Sequence, residues 1–112
     1  MHRPSERRLV ENEVMFRDAN RQVQQHVKAN HRAHQIPEST KLHFYCECSN
    51  FHCRDRIIIT VKEYEAAHAN RKQFITVVGH ENPAVESVVD GNAVYTIVEK
   101  YVDPAKMMGT AA

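Results

Sequence analysis

The alternation of apolar and polar positions changes period at Pro37. Before it, Leu9, Phe16, Ala19, Val23 and Val27 recur at spacings of three, four and seven, the period of one helical face, with Arg and Gln filling the rest. This predicts a long helix over residues 7–34. Its stripe is narrow and is interrupted by Asn12, Asn20 and Asn30, which suits packing on a sheet better than a coiled-coil seam. Pro37 ends the helical region, leaving QIPEST as the connection.

After Pro37 the period drops to two. LHFYC (42–46) and RIIIT (56–60) read as short strands, and QFITVV (73–78) as a third, stopped by Gly79. TVKE opens a second helix, 61 to about 70, through a capping box in which Thr60 and Glu63 satisfy each other's backbone. NPAVESVV (82–89) predicts a third helix, with Asn82 as cap and Pro83 in the first helical position. DGN then forms a turn, AVYTIVEK (93–100) a last strand, and residues 103–112 a frayed tail. The order α-β-β-α-β-α-β predicts an α+β domain with a small sheet of about four strands.

Composition narrows the class. A chain of 112 residues, 42% hydrophobic and 26% charged, is expected to form a single globular domain, 1–112. Residues 1–34 carry seven Lys/Arg against four Asp/Glu, and residues 35–112 carry eight against ten. That asymmetry permits an anionic partner for the N-terminal part without making it a polybasic arm. MHRPSERR has no apolar segment behind it, and no stretch is apolar over the length that spans a bilayer. The expected location is therefore the cytoplasm, without membrane contact, where thiols stay reduced.

All three cysteines fall in FYCECSNFHC (44–53), which connects the first two strands. Three cannot all pair within one chain, so a disulfide framework explains them poorly. Buried core thiols are the plain alternative, but core packing gives no reason to gather them into eight residues. Metal does. In extended chain, Cys46 and Cys48 project to one side while Glu47 points away, and Cys53 returns from the SNFHC turn to add a third sulfur. A structural zinc site takes four N/S ligands, so one more is needed.

His43, His52, His68 and His80 are the candidates. His52 adjoins Cys53, which strains joint coordination, and His43 has the opposite strand parity to Cys46. His68 lies in the second helix, away from the loop. His80 follows Gly79 in a loop before a helix start, where zinc sites are commonly completed. The expected ligands of one structural Zn²⁺ are Cys46, Cys48, Cys53 and His80, with His52 or His43 as the other possibilities for the fourth.

Two further features bear on function. Arg17, Arg21, Lys28 and Arg32, with Val10 and Val14, fall on the helix face opposite the apolar stripe, forming a basic ridge. The ridge could follow a phosphate backbone or an acidic protein, or be a solvated face partly paired with Asp18 and Glu13. Tyr45 and Phe51 flank the cysteines and could stack on bases, whereas Phe44 shares parity with Leu42 and Cys46 and is expected in the core. No Gly-rich phosphate loop, Gly-x-Ser-x-Gly elbow or spaced carboxylate pair occurs. A catalytic zinc would need a base, and Glu81 is the one on offer.

ENEVMFRDAN (11–20), FYCECSNFHC (44–53), IIITVKEYEAAHA (57–69), FITVVGHE (74–81) and YTIVEK (95–100) together resemble a family of small uncharacterised bacterial proteins. The likeness covers about residues 11–100. The family pattern has three cysteines and a Gly-His-Glu tripeptide, which fall here on Cys46, Cys48, Cys53, Gly79, His80 and Glu81. A proline often precedes that Gly-His, where this chain has Val78. The resemblance implies the metal site and no activity. The expected function is a non-enzymatic zinc module that binds a protein partner, with regulation as one such role. The alternatives are a nucleic-acid-binding module using the ridge and aromatics, then a zinc hydrolase with Glu81 as base.

Overall fold

Arg56, Ile57, Ile58 and Ile59 alternate between solvent and interior, as a strand with one buried face must. The computed structural model of the protein describes residues 5–32 and 37–104. It is α+β. Helix α1 spans Glu6–Arg32, followed by strands β1 (Leu42–Tyr45) and β2 (Arg56–Ile59) and helix α2 (Val61–Ala67). Strands β3 (Gln73–Val77), β4 (Glu86–Gly91) and β5 (Tyr95–Lys100) complete the order.

The strands form two antiparallel sheets rather than the single sheet expected: a β1–β2 hairpin and a three-stranded sheet in the order β3-β5-β4. The hairpin sets Leu42 opposite Ile59 and Tyr45 opposite Arg56, so Phe44, Ile57 and Ile59 share the buried face. The capping box at Thr60 and Glu63 is formed and starts α2, which buries Val61, Tyr64 and Ala67 at spacings of three. The Phe44 ring lies on Tyr64 with centroids 4.3 Å apart and planes 7° from parallel. Val27 and Ile75 close this core from α1 and β3.

The third helix does not form. Asn82 instead caps a single turn, its Oδ1 accepting from the Ala84 N–H and its carbonyl from Val85 and Glu86. The chain then extends as β4. Eight residues ending in the β-branched Val88 and Val89 favour a strand once Glu86 must reach inward. Helix α2 also stops at Ala67, with His68 as its C-cap, and β5 begins at Tyr95 after an Asn92 turn. Of the frayed tail expected at 103–112, residues 105–112 lie outside the described residues. Among the described residues no helix is long and apolar enough to cross a membrane.

The buried face of α1 is the largest departure from expectation. Val10, Phe16 and Val27 are buried, but so are Asn12, Glu13, Arg17 and Asn20. Glu13 meets Glu86 and Lys100 in the interior, where the Lys100 ammonium contacts both carboxylates and lies 4.6 Å from the Phe74 ring centroid. Two carboxylates share one buried ammonium. Burial, then the hydrogen bond with Glu86, pushes the Glu13 carboxyl up to about 10, against the pull of Lys100.

Between pH 4.5 and about 10, folded Glu13 therefore holds a proton that the unfolded chain has lost. Stability falls as pH rises through that window, by at most about 1.4 kcal/mol per pH unit. Glu13→Gln removes this penalty while keeping the shape. In urea unfolding, the variant should gain on the parent between pH 6 and pH 9. The metal centre is common to both proteins, so the difference isolates Glu13, and a constant gap would show that Glu13 is buried ionised.

Candidate metal centre

Directly after β1 the chain remains extended, and strand parity sorts its side chains. Cys46 and Cys48 go one way and Glu47 the other. The Cys46 N–H bonds to the Asp55 carbonyl at 3.0 Å, and the Glu47 N–H reaches the Ile75 carbonyl of β3 at 2.8 Å. The segment is thus seated between the hairpin and the larger sheet. Asn50 makes the following turn, accepting the Cys53 N–H at its carbonyl and the His52 N–H at its side chain. Arg54 clamps that turn, donating to the carbonyls of Phe51 (2.7 Å) and Cys53 (2.8 Å).

His80 arrives from the far end of β3. Its N–H bonds to the Val77 carbonyl at 3.0 Å, and Gly79 has φ +91°, which makes Val77–His80 a type II turn. Gly79 is required for that positive φ. Close approach is not the reason, since a Cβ there would meet nothing within 4 Å. Val78 holds the position of the turn where proline is favoured.

The four side chains converge. One ligand atom from each of Cys46, Cys48, Cys53 and His80 lies within 4.8 Å of all the others. They are close enough to bind one metal ion. His80 Nδ1 is 3.5 Å from the Cys46 sulfur and 3.6 Å from that of Cys53. In a zinc tetrahedron, bond lengths of about 2.3 Å to sulfur and 2.0–2.1 Å to nitrogen put S and N about 3.6 Å apart. The spacing fits.

Two contacts reach the donor atoms from outside the cluster. The Val77 N–H donates to the Cys46 sulfur at 3.2 Å. Asp55 Oδ2 faces the other His80 nitrogen, Nε2, at 3.5 Å, the placement of an outer carboxylate that orients a ligating imidazole. Without a cation the three sulfurs compete for ionisation. The hydrogen bond from Cys46 lowers Cys48 to about 5, and that same contact, with burial, pushes Cys46 up. Burial raises Cys53. A divalent ion would remove this conflict by stabilising all three thiolates.

Glu47 faces away from the sulfurs, as its parity requires, but into the protein rather than into water. It is wholly buried and accepts from Tyr64 Oη (2.7 Å), Asn20 Nδ2 (2.9 Å), the Ile75 N–H (3.0 Å) and His68 Nε2 (2.6 Å). Burial pushes its carboxyl up, but the His68 charge and these donors outweigh it and hold it below the ordinary carboxylate range. His68 Nδ1 lies 2.8 Å from the Tyr64 carbonyl, so both ring nitrogens face acceptors. Asn20 also grips β1, with Nδ2 on the Tyr45 carbonyl (2.9 Å) and Oδ1 on the Tyr45 N–H (2.7 Å). Asn12 holds the Ser49 carbonyl at 2.8 Å.

The other sequence candidates do not join the cluster. His43 and His52 are exposed, and His52 lies edge-on to Phe51. Glu81 is half-buried, with Oε2 lacking a hydrogen-bond partner. The basic ridge is not one continuous surface. Arg17 is only 8% exposed, donating to the Arg71 carbonyl at 2.7 Å and lying 4.3 Å from the Phe74 ring centroid, and Val10 is buried. The helix turns this side inward because Val10, Glu13, Arg17 and Asn20 share one face at spacings of three and four. Arg21 and Lys28 are exposed beside Asp18 (4.0 Å) and Glu65 (2.7 Å). The Arg32 side chain lies outside the described residues. Tyr45 is half-buried beneath the Arg56 guanidinium at 3.8 Å, and Phe51 is 41% exposed.

The roles of Glu47, Asn20, Asn12 and Asp55 escaped the sequence reading, and His68 was weighed there only as a metal ligand. The available signal was polar residues at positions where α1 should be apolar, and a carboxylate between two candidate ligands. No protein-family model, curated protein or solved structure matches this chain.

His80→Ala should lower both bound metal and melting temperature, because its bond would join β3 to the loop after β1. His43→Ala and His52→Ala should leave both near the parent values, and the reverse ranking would assign the fourth ligand elsewhere. Asn20→Ala should destabilise by about 1–3 kcal/mol by stranding the Tyr45 N–H and removing one of two donors to Glu47 Oε2, measured by chemical unfolding at constant metal. A change below about 0.5 kcal/mol would mean that water replaces the amide there.

Proposed function

We propose that the protein is a small zinc-binding module in which the metal is structural and the work is binding a protein partner. The observation that carries this reading is the four-donor cluster of Cys46, Cys48, Cys53 and His80, whose S···N distances of 3.5 and 3.6 Å suit a closed tetrahedron. Sulfur-rich donors favour zinc over magnesium or calcium, and four protein donors leave no coordination position for substrate. All three cysteines are buried, which also suits a structural role. Glu81 is a poor base for such a site because a closed tetrahedron holds no water for it to activate.

Binding a protein is supported by the surface. Strand β4 is an outer strand of its sheet and exposes Val88 and Val89. The bulge between Val88 and Asp90 and the exposed Asp90 protect its edge from indiscriminate strand pairing, while the two valines offer apolar contact area to a protein partner. The nucleic-acid alternative loses Arg17, which is turned inward, and keeps Arg21 and Lys28 at the surface.

Protein purified without chelator should carry about one zinc per chain, and its removal should unfold the domain. Thiols and imidazole bind deprotonated, so metal should be released as pH falls. Cobalt substitution gives the sharper check. The visible spectrum should be that of a tetrahedral thiolate site and should not change on adding azide. A metal-free, folded and reduced protein would end the zinc reading, and an azide-sensitive cobalt spectrum would open a coordination position and favour the hydrolase.

A further inference from the structure

On the other side of Glu47 from the cysteines, α1 and the C-terminal end of α2 enclose a concave site of about 480 Å³. Its wall includes Arg17, Arg21, Gln24, Tyr64, His68 and Arg71. That is a high density of cationic and donor groups, and most of the cations already have an anion. His68 is paired with Glu47 at 2.6 Å, and Arg71 with Asp103 at 2.6 Å. Glu65 also lines the site, but Lys28 engages it at 2.7 Å. Arg21 has only Asp18, at 4.0 Å on the exposed surface.

Arg17 is different. It is more than nine-tenths buried, yet among the described residues no carboxylate contacts it. One Nη1 bond goes to the Arg71 carbonyl, and its Nε is buried with no partner. Burying a guanidinium without a counter-charge is costly unless something else compensates. Burial, then the neighbouring charge of Arg21, also pulls its basicity down, as expected where positive charge is in excess.

We propose that this cavity is a binding site for a small phosphate-bearing molecule, with Arg17 and Arg21 taking the phosphate oxygens. Guanidinium forks match a phosphate group through paired hydrogen bonds, and the volume lies in the range of small-molecule sites. The cavity is a half-open concavity confined to one side of α1 and the end of α2, and this local extent favours a small molecule over a nucleic-acid strand. Inorganic phosphate and a phosphomonoester share this chemistry. The site does not rest on the metal reading, since none of the residues named in it is a metal ligand.

The test uses the full chain as purified. Melting is followed against inorganic phosphate, phenyl phosphate and acetate, each with ionic strength matched by chloride, and binding is measured by calorimetry. Phosphate should raise the melting temperature saturably beyond the chloride control, and acetate should not. Tighter binding of phenyl phosphate would identify the organic group as filling the rest of the cavity, and equal binding would identify free phosphate as sufficient. Arg21→Gln, at an exposed position, should fold normally and weaken phosphate by about tenfold or more. Arg17→Met keeps the packing against Phe74 and should abolish the response. If Arg17→Met does not fold, Arg21→Gln decides alone. A phosphate response no larger than chloride, one shared with acetate, or one unchanged in Arg21→Gln would overturn the proposal. So would a salt-sensitive shift with a single-stranded oligonucleotide in a protein that ignores phosphate.

Discussion

A carboxylate with no access to water lies at the centre of this fold. Glu47 is tolerated there because it accepts from α1 through Asn20, from α2 through Tyr64 and His68, and from β3 through the Ile75 N–H. The donors come from three elements, so the hydrogen bonds of one side chain define how those elements meet. An ionised group in the interior is stable only when its lone pairs are filled and its charge is matched. The requirement is strict. It makes the positions of Asn20, Tyr64 and His68 mutually dependent, and the stacked Phe44 and Tyr64 rings belong to the same assembly.

The candidate metal centre is the other side of that segment. Because extended chain alternates, Cys46 and Cys48 can face the cluster only if Glu47 faces the core. Strand β3 is read on both sides as well, with Ile75 bonded to Glu47 and the Val77 N–H to the Cys46 sulfur. The two polar sites therefore share a backbone. A shift in either would be felt in the other through three residues of chain. An ion held by Cys46, Cys48, Cys53 and His80 would add a covalent-strength tie between β3 and the loop after β1, coupling metal to the stability of a small core.

Helix α1 carries a third set of buried polar groups, with Glu13 at Lys100 and Glu86, and Arg17 beneath the Arg71 carbonyl. Its inner face is thus polar at four of its positions along two and a half turns. Exchanging these for apolar residues of similar volume need not destabilise the fold. What they do supply is registry. Apolar side chains tolerate sliding, whereas Asn20 must meet the Tyr45 backbone and Glu47 together, and Asn12 the Ser49 carbonyl.

Local chemistry was legible in the chain. The capping box at Thr60, the two strands around the cysteines, and the three-sulfur cluster all depend on residues within a few positions of each other. His80 could also be reached, by eliminating histidines whose parity or position was wrong. The β4 segment was misread because Asn82-Pro83 is a good helix opening, while the β-branched Val88 and Val89, the pairing with β5 and the contact of Glu86 with Lys100 make extension the better outcome. The helix face was misread for a related reason. Counting Asn, Glu and Arg as solvent-facing ignores that each can be buried when a specific acceptor or donor waits for it. Those partners lie far along the sequence, at Tyr45, Glu47, Arg71 and Lys100. Hydrophobic periodicity is a property of neighbours, and the sequence by itself determined the elements that neighbours can make. The burial of a polar side chain depends on what the folded chain brings to it, so the tertiary structure alone decided which face of α1 is inside and what Glu47 holds together.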